Sequence, residues 1–413
     1  MNVLIVGGGG REHALAWSLS KSKEIKKLFC APGNAGIAEL AENLPVKAED
    51  VEGIVKAAVK NSVDFAVIGP EVPLALGIVD ALVASGIKTF GPNKKCARLE
   101  ASKGFTKAFL TKYNIPTAKY REYTDREKLL SDIGIFGFPM VIKADGLAAG
   151  KGVIIAEDAA QARTAIDQMM DLKVFGQAGE KVVVEEFLRG TEVSVLCFVD
   201  EKTIVPMESA RDYKRIFDGD EGPNTGGMGS YSPNPLYDRD GIMDKILKPT
   251  LLGLQSEKLD FKGVLYVGLM LTDEGPKVIE FNNRFGDPET QVILPRLETD
   301  LLKIMLAVTE NTLGELDIKW SHKKAVCLIL ASGGYPDKIE KGHVIKGLDK
   351  VDKNVMVFHA GTDIHMGQTV TSGGRVLGIT ALSDDHKEAI KIVYDNAEKI
   401  SFDGMQYRKD IGL

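Results

Sequence analysis

The N-terminal part of the chain alternates short apolar runs with amphipathic segments, and this alternation limits the fold more than any other feature. Strands are predicted at Asn2–Val6, Lys27–Ala31 and Asp64–Gly69, and helices at His13–Ser20, Val51–Lys60 and Leu74–Ser85. Strands and helices in this order form a parallel sheet with helices on its faces. Open parallel sheets bind ligands at the carboxyl ends of their strands, where Gly69-Pro70 and Gly91-Pro92 are expected to lie.

The pattern changes near Ile115-Pro116. Predicted strands there are 118–123, Met140–Ala144, Val153–Ala156 and 182–187, and predicted helices are 125–133 and 158–170. Two strands that flank a glycine-rich turn, with a helix before and after, predict a small α+β module resembling a lid. Long strands are expected over residues 191–310, and after Trp320 the sequence predicts short strands with one clear helix at 385–400.

Charge and cysteine content exclude several classes of protein. The formal net charge is -6, whereas binding to nucleic acid or to an anionic membrane needs a basic face. The four cysteines are far apart and form no CxxC pair, which disfavours a zinc site or a disulfide framework and is typical of a reducing compartment. We find no signal peptide and no apolar run long enough to span a membrane. A cytoplasmic location is therefore expected.

The glycines at Gly7–Gly10 follow a strand and open a helix, where backbone N–H groups can bind an anion. A dinucleotide site would need G-x-G-x-x-G and an acid about 20 residues further on. The third glycine position is occupied by Glu12 or His13, and the second strand ends in Ala31-Pro32-Gly33. Two alternatives remain for the turn: a phosphate-binding loop for a sugar phosphate, or a tight turn that packs helix on strand. Glu71 is likewise either a ribose ligand or an exposed turn acid.

A second glycine-rich loop, Gly146–Gly152, joins two predicted strands. It is not a Walker loop, which precedes a helix, so we predict a flexible flap whose N–H groups and Lys151 cover phosphates. Lys143 lies within an apolar strand, where an unpaired ammonium group is costly. Either a bound polyphosphate supplies its partner, or Lys143 faces solvent on an edge strand. The segment 183–188 could bind the edge of an adenine, and Glu192 beyond it could bind a ribose, but this pattern alone is a weak indication of a nucleotide site.

The segment 277–290 carries the densest chemical signal. Glu280 and Asn282 share one face of a predicted strand, and carboxylate and amide oxygens suit Mg²⁺, which takes its other ligands from phosphate and water. We expect Arg284 to continue this face and to bind a carboxylate. The alternative is a polar edge strand with a surface ion pair. The glycine-rich loop 222–233 is expected to pack rather than to be disordered, because it contains Met228 and Tyr231.

A set of strings runs through the whole chain in order: GGGGREHA, GPE, LEASKGFTK, VIKADGLAAGKGV, EEFLRGTE, GPNTGGMGSYSP, IEFNNRFGDPETQ and RKDIG. Together they resemble the ATP-grasp superfamily and, within it, the glycinamide ribonucleotide synthetase family. The resemblance implies ATP-dependent ligation of glycine to 5-phosphoribosylamine with Mg²⁺ or Mn²⁺, by way of glycyl phosphate. It implies mixed α/β and α+β architecture: an N-terminal parallel α/β domain (1–100), an ATP-grasp core (101–117 and 191–320), a lid (118–190) and a β-rich C-terminal domain (321–413). A monomer or weak dimer is expected.

The resemblance also implies roles for particular residues. ATP would be bound by Lys103, Lys143, Gly146, Gly150, Lys151, Gly152, Glu185, Glu186, Phe187, Leu188 and Glu192. The catalytic residues would be Arg284, Lys143 and Asp212, with Arg284 on the glycine carboxylate, and the metal would be held by Glu280 and Asn282. The other substrate-binding residues would be Gly8, Gly9, Gly10, Arg11, Glu71, Lys214, Asn224, Gly226, Gly227, Met228 and Asp287.

Three other functions remain as alternatives. Another ATP-grasp ligase or carboxylase would release ADP with a different acid, such as bicarbonate. A nicotinamide oxidoreductase is disfavoured by the incomplete dinucleotide motif. A noncatalytic nucleotide sensor would bind ATP without turnover, and the E-x-N-x-R pattern at Glu280–Arg284 disfavours it.

Overall fold

We describe a computed structural model of the chain, covering residues 1–148, 152–172, 174 and 176–413. Gly150 and Lys151 of the predicted flap lie outside the described residues. The N-terminal elements are β1 (Asn2–Gly7), α1 (Gly10–Leu19), β2 (Lys27–Pro32), β3 (Glu42–Asn43), α2 (Val51–Lys60), β4 (Phe65–Ile68), α3 (Glu71–Leu76), α4 (Ile78–Ala84), β5 (Lys88–Phe90) and α5 (Lys94–Ala101). The strands form a sheet in the order β3-β2-β1-β4-β5, and every neighbouring pair is parallel. The α/β prediction for this part of the chain is confirmed.

The helix predicted at Leu74–Ser85 is wrong as a single element. Two helices, α3 and α4, meet at Gly77, which has φ 94° and donates its N–H to the carbonyls of Pro73 and Leu74. A left-handed residue of this kind ends a helix by satisfying its last carbonyls, and glycine adopts it without steric cost. Because α3 begins earlier than predicted, Glu71 becomes its first residue.

A helix of 10 residues and an antiparallel sheet follow. The next elements are α6 (Lys103–Lys112), β6 (Tyr120–Tyr123), α7 (Arg126–Ser131), β7 (Met140–Ala144), β8 (Val153–Ala156), α8 (Ala159–Ile166) and β9 (Val182–Glu186). Strands β6 to β9 form one sheet in the order β6-β9-β7-β8. Its hydrophobic core, which includes Leu129, Ile142 and Ile166, is built only from residues 123–184. The module therefore packs around its own core, and its described side-chain links to α6 and β17 are mainly polar.

The central sheet is antiparallel and runs in the order β11-β10-β16-β17. The elements of this part of the chain, which include the four strands of the sheet, are β10 (Thr191–Val199), β11 (Ile204–Pro206), β12 (Arg211–Asp212), β13 (Arg215–Phe217), β14 (Glu221–Asn224), β15 (Gly229–Ser232), α9 (Arg239–Ile242), α10 (Lys248–Ser256), β16 (Gly263–Thr272), β17 (Gly275–Asn282), α11 (Thr290–Ile293) and α12 (Leu301–Glu310). Alternate residues of β10 and β16 point into a core that also contains Phe109 of α6 and Ile246. This packing fixes β17 at the sheet edge that faces β7.

The last sheet combines strands from two distant stretches of chain. The C-terminal elements are β18 (Lys324–Ala331), β19 (Met356–His359), β20 (Thr362–His365), β21 (Gln368–Thr371), β22 (Arg375–Ser383) and α13 (His386–Ala397). The sheet order is β12-β15-β18-β22-β19, so β12 and β15 join the C-terminal strands. The β-rich C-terminal region is confirmed, whereas the four domain boundaries stay a prediction. Within the described residues, no helix combines the length and the apolar character needed to cross a bilayer.

A buried histidine pair joins α1 to the C-terminal sheet and predicts a pH-dependent stability. Nδ1 of His13 accepts the N–H of His359 at 2.8 Å, which it does only as a neutral imidazole. Burial, with repulsion from His359 as the next cause, lowers the pKa of His13 from 6.5 to about 3, and burial lowers that of His359 to about 4.

The unfolded chain takes up protons at these groups near pH 6.5, whereas the folded chain does so only near pH 3–4. The free energy of unfolding should therefore fall as the pH drops below about 6.5, by about 1.4 kcal/mol per pH unit for each imidazole. Urea unfolding at several pH values measures this slope. We expect His359→Gln to reduce the slope and the exposed-site control His365→Gln to leave it unchanged, and equal slopes in all three proteins would contradict this account.

Candidate functional site

Strand β17 presents the predicted metal-binding face. Phe281 is buried in the core, whereas Oε1 of Glu280 and Nδ2 of Asn282 lie 3.5 Å apart on the opposite face. Glu280 pairs with Gly268 of β16, and a methyl group built on Gly268 would lie 3.3 Å from Cγ of Glu280. Strand β17 ends at Asn282, so Arg284 follows it at a bend of the chain, where the charge of Glu280 still acts on its guanidinium group.

The charges of three lysines from separate elements act on the Glu280 carboxylate. Lys103 opens α6, Lys143 lies on β7, and Lys214 follows β12. Burial alone would raise the pKa of Glu280, but the charges of Lys214, Lys143 and Lys103 outweigh it and lower that pKa. A carboxylate held ionised among ammonium groups is the arrangement expected where phosphate oxygens and a cation meet.

The alternative interpretation, in which Lys143 faces solvent on an edge strand, is wrong. Its strand lies between β9 and β8, and the side chain is buried. Nζ of Lys143 lies 2.8 Å from Oε1 of Glu185, and Nζ of Lys107 lies 2.9 Å from Oε2 of the same carboxylate. Nζ of Lys107 also donates to Thr117 at 2.8 Å. This buried Lys107–Glu185–Lys143 triad links α6 to the lid sheet, and burial lowers the pKa of Lys107 to about 8.

The predicted adenine segment follows β9, an inner strand of the lid sheet. Strand β9 ends at Glu186, whose side chain accepts the N–H of Lys119 at 2.9 Å, and Phe187 and Leu188 follow it half-buried. The side chain of Glu185 points instead into the buried triad. Glu192, predicted at the ribose, forms an ion pair with Lys214 at 2.9 Å.

The start of the predicted flap is bonded to α6. Nζ of Lys103 donates to the carbonyl of Gly146 at 3.1 Å. Asp145, the residue before Gly146, accepts the N–H of Gly104 at 3.1 Å and the hydroxyl of Ser102 at 3.3 Å. At the other end of the flap, the carbonyl of Gly152 accepts the N–H of Ala144 at 2.8 Å.

Arg284 lies between two carboxylates that come from the N-terminal domain. Its Nε is 3.3 Å from Oε2 of Glu71, and its NH2 is 3.0 Å from Oε1 of Glu100. Burial raises the pKa of Glu100. Burial acts in the same direction on Glu71, but the charges of Arg284 and Arg11 outweigh it and lower the pKa of Glu71. Glu71 is therefore half-buried in an ion cluster and is not an exposed turn acid.

The N-terminal glycines form a tight turn beside Asp287. A methyl group on Gly8 would lie 2.5 Å from the carbonyl oxygen of Gly33, and one on Gly10 would lie 2.7 Å from Nε2 of Gln291. The N–H of Gly9 donates to Glu12 at 2.6 Å, and the N–H of Arg11 donates to Asp287 at 3.3 Å. The packing interpretation of this turn is thus supported, and two of its N–H groups are used by acids of the chain itself.

Arg375 contacts predicted substrate-binding residues, although the sequence did not indicate it. Its NH2 lies 3.3 Å from Oδ2 of Asp287, and its NH1 donates to the carbonyls of Asp287 at 2.7 Å and Gly226 at 2.5 Å. Burial raises the pKa of Asp287, but Arg375, followed by Arg11, more than compensates, so that this pKa is lowered. Arg375 therefore links the glycine-rich loop to Asp287.

The glycine-rich loop is packed, as predicted. Met228 is fully buried, the N–H of Gly226 donates to the hydroxyl of Tyr335 at 2.9 Å, and Asn224 pairs with Arg215 in the β13–β14 hairpin. Gly227 has φ 108°, and a methyl group there would lie 2.5 Å from Oδ1 of Asp212 and 2.4 Å from Cδ of Pro288.

Gly227→Ala is therefore expected to lower the free energy of unfolding by about 1–3 kcal/mol, through strain at a left-handed residue and through steric overlap. The substitution should also lower activity more than tenfold, because Asp212 must move. Thermal unfolding and steady-state rates measure both effects. A matched control is Gly219→Ala, which also has positive φ (70°) but has nothing within 4 Å of the added methyl. Equal losses in the two variants would show that backbone strain alone is responsible.

Comparisons with known proteins show the family to which the chain belongs. Family models for phosphoribosylglycinamide synthetase match residues 1–100 (N domain), 101–290 (ATP-grasp (A) domain) and 325–413 (C domain). A phosphoribosylamine–glycine ligase of Caldanaerobacter subterraneus is 51% identical over 100% of this chain and 99% of its own length.

Solved structures show the same fold. The crystal structure of a phosphoribosylamine–glycine ligase from Thermotoga maritima covers 100% of both chains at 35% identity and a TM-score of 0.88. A biotin carboxylase complex from Campylobacter jejuni, at 14% identity, covers 98% of this chain and 92% of that chain with a TM-score of 0.76, which shows a shared fold alone. The identity and coverage of these relatives show that the chain belongs to the phosphoribosylglycinamide synthetase family of ATP-grasp enzymes.

Proposed function

We propose that this chain joins glycine to 5-phosphoribosylamine in purine biosynthesis, converting ATP to ADP and phosphate by way of glycyl phosphate. The observation that carries the proposal is the convergence of Lys103, Lys143 and Lys214 on the face of β17 that bears Glu280 and Asn282. Glycine and the ribosylamine are thus its proposed small-molecule substrates. A cytoplasmic monomer or weak dimer stays a prediction.

The donor set on β17 fits a divalent cation such as Mg²⁺ or Mn²⁺. Among the described residues, no group of three or more His, Cys, Asp or Glu side chains is arranged as a metal site. A magnesium ion needs only one or two protein oxygens when phosphate and water supply the others, and Glu280 and Asn282 offer a carboxylate and an amide oxygen on one face. When bound, the cation would neutralise charge on the phosphate oxygens.

The first step is attack of a glycine carboxylate oxygen on the γ-phosphate of ATP, with ADP as the leaving group. Negative charge is spread over the phosphoryl oxygens as the bond to ADP breaks, so positioning and electrostatic stabilisation provide most of the acceleration. Lys103 and Lys143 are suited to this role, because the charges of both act on Glu280, one from the start of α6 and the other from β7. Their side chains would exchange contacts with Gly146 and Glu185 for contacts with phosphate.

The other predicted contacts complete the proposal. Residues 185–188 would bind adenine through their backbone, and Glu192 would bind the ribose after leaving Lys214. The flap, from Gly146 to Gly152, would cover the phosphates and exclude water from the glycyl phosphate. Arg284 would bind the glycine carboxylate, which requires exchange of at least one contact with Glu71 or Glu100.

The ribosylamine is assigned to the cleft at the carboxyl ends of the N-terminal strands. Asp287, Arg11 and Glu71 meet there, beside the turn at Gly8–Gly10. This is the edge at which open parallel sheets bind ligands. The amine would then lie beyond Asp287, towards Lys214 and the face of β17.

An ADP-release assay with ATP, Mg²⁺, glycine and freshly generated phosphoribosylamine tests the proposal, with each component omitted in turn. We expect ADP and glycinamide ribonucleotide in equal amounts, and a loss of product when any component is absent. ADP release that depends on bicarbonate instead of glycine would overturn the proposal and favour a carboxylase. ATP binding without any turnover would favour a nucleotide sensor.

A further inference from the structure

Asp212, which the family resemblance places among the catalytic residues, has a buried carboxylate oxygen to which the steps proposed above give no role. Oδ1 of Asp212 is buried, and no donor among the described residues reaches it within hydrogen-bond distance. Asp212 ends β12, the edge strand of the C-terminal sheet, where it pairs with Ser230. A buried acceptor without a donor is costly to the fold. Oδ1 of Asp212 is therefore available to a donor on a ligand.

Asp212 lies between the two halves of the proposed reaction. On one side is Lys214, two residues further along the chain, which also interacts with Glu280 on the face of β17. On the other side is Arg375, which interacts with both Asp212 and Asp287. Gly227 contacts Asp212 and Pro288 together, since a methyl group there would meet both. Asp212 could thus contact a group that lies between the proposed ribosylamine site at Asp287 and the proposed phosphate site at Glu280.

The neighbouring acid, Glu289, is already bonded. Its Oε1 accepts the hydroxyl of Ser194 at 3.0 Å, and that hydroxyl is 2.9 Å from the hydroxyl of Tyr266. Glu289 is therefore anchored at the wall of the cleft, whereas Oδ1 of Asp212 is not. This difference distinguishes a structural acid from an acid that is free to accept a proton.

We propose that Asp212 accepts the proton that the ribosylamine nitrogen loses when it attacks glycyl phosphate. In this step the C–N bond forms, the bond from the acyl carbon to the phosphate oxygen breaks, and phosphate leaves with the electron pair. The proton of the attacking nitrogen passes to Oδ1 of Asp212. The inference rests on the proposed function, because it assigns a residue to the second half of that reaction.

The charges that face Asp212 are suited to this task. They are Glu289 after β17, Lys214 after its own strand, Arg375 on β22 and Glu192 on β10. Burial, with the charge of Glu289 as the next cause, raises the pKa of Asp212 well above its usual range. A carboxyl group with a raised pKa is a stronger base, and its basicity is closer to that of an amine.

Rapid-quench single turnovers with Asp212→Asn separate the two halves of the reaction. We expect ADP to form in the first turnover within about threefold of the wild-type rate, and glycinamide ribonucleotide to form more than about 100-fold more slowly, as for loss of a general base. Asp212→Glu should restore part of the second rate. Glu221→Gln, on the exposed hairpin after β13, is the matched control and should leave both rates unchanged.

Each result decides the question. A parallel fall of ADP and of glycinamide ribonucleotide would overturn the inference, because Asp212 would then serve glycine or ATP. Unchanged rates of both would overturn it as well. If Asp212→Asn does not fold, as judged by circular dichroism, the ratio of the two rates is measured on the Asp212→Glu variant instead. Failure of the wild type to form either product would instead show that the proposed function is wrong.

Discussion

Glu280→Gln is expected to lower the rate of ADP formation by at least about 1000-fold while the chain remains folded. The carboxylate faces Lys214, Lys143 and Lys103, and its ionised state is favoured by them. Glutamine keeps the size of the side chain but removes the negative charge that the proposed cation needs. Three lysines would then face one another and the phosphates without a counterion on β17. A loss of this size corresponds to about 4 kcal/mol of transition-state stabilisation.

The control for this variant lies on the same hairpin. Glu274 is exposed and paired with Lys277 at 2.7 Å, so Glu274→Gln should keep full activity. Steady-state rates over a range of Mg²⁺ concentrations, with circular dichroism and thermal unfolding on each protein, separate loss of function from loss of fold. Near-normal turnover of Glu280→Gln at limiting Mg²⁺ would contradict the metal assignment.

Glu185→Gln is expected to destabilise the chain by about 3–5 kcal/mol, because it removes the carboxylate that is paired with two buried ammonium groups. Lys107, Glu185 and Lys143 are each less than one-tenth exposed. An exposed pair would instead contribute no more than about 1 kcal/mol. Urea unfolding measures the difference.

Glu186→Gln is the matched control for the triad. Its carboxylate lies 3.9 Å from Lys119 and 4.0 Å from Lys277, and the amide oxygen of glutamine can still accept the N–H of Lys119. A loss below about 1 kcal/mol is expected for this control. The double variant Lys107→Met/Glu185→Gln should recover part of the stability lost in Glu185→Gln. Equal unfolding free energies for Glu185→Gln and the wild type would show that the triad is not a stabilising ion network.

Local patterns in the sequence predicted much of the fold. Helix α2 matches the predicted residues Val51–Lys60, and the helices predicted from Asp125 and Asp385 have those residues as N-caps, whose side chains accept the N–H of Lys128 and Glu388. The strand period also predicted correctly that Glu280 and Asn282 share a face. These features depend on neighbours within a few residues, so the sequence displays them directly.

Long-range partners could not be predicted in this way. Lys107 stands one turn after Lys103 on α6, where a lysine is usually solvated, and only the packing of the lid sheet reveals that it is buried against Glu185. Arg375 follows two glycines in an otherwise ordinary strand, and its contact with Asp287 spans 88 residues. Nothing near Glu100 indicated that it would pair with Arg284. The sequence identified residues with unusual chemistry, but it did not identify the partners that hold them.

The sheet shared by β12, β15 and the C-terminal strands has a consequence for protein engineering. An exchange of the C-terminal segment with a relative, cut after the central sheet, would pair foreign β18 with native β15 and would place a foreign arginine beside the native glycine-rich loop. A chimera that transfers residues 207–233 together with 321–413 takes all strands of this sheet from the same parent protein. We expect such chimeras to fold and to remain active, whereas those cut at a single point are expected to be insoluble or inactive.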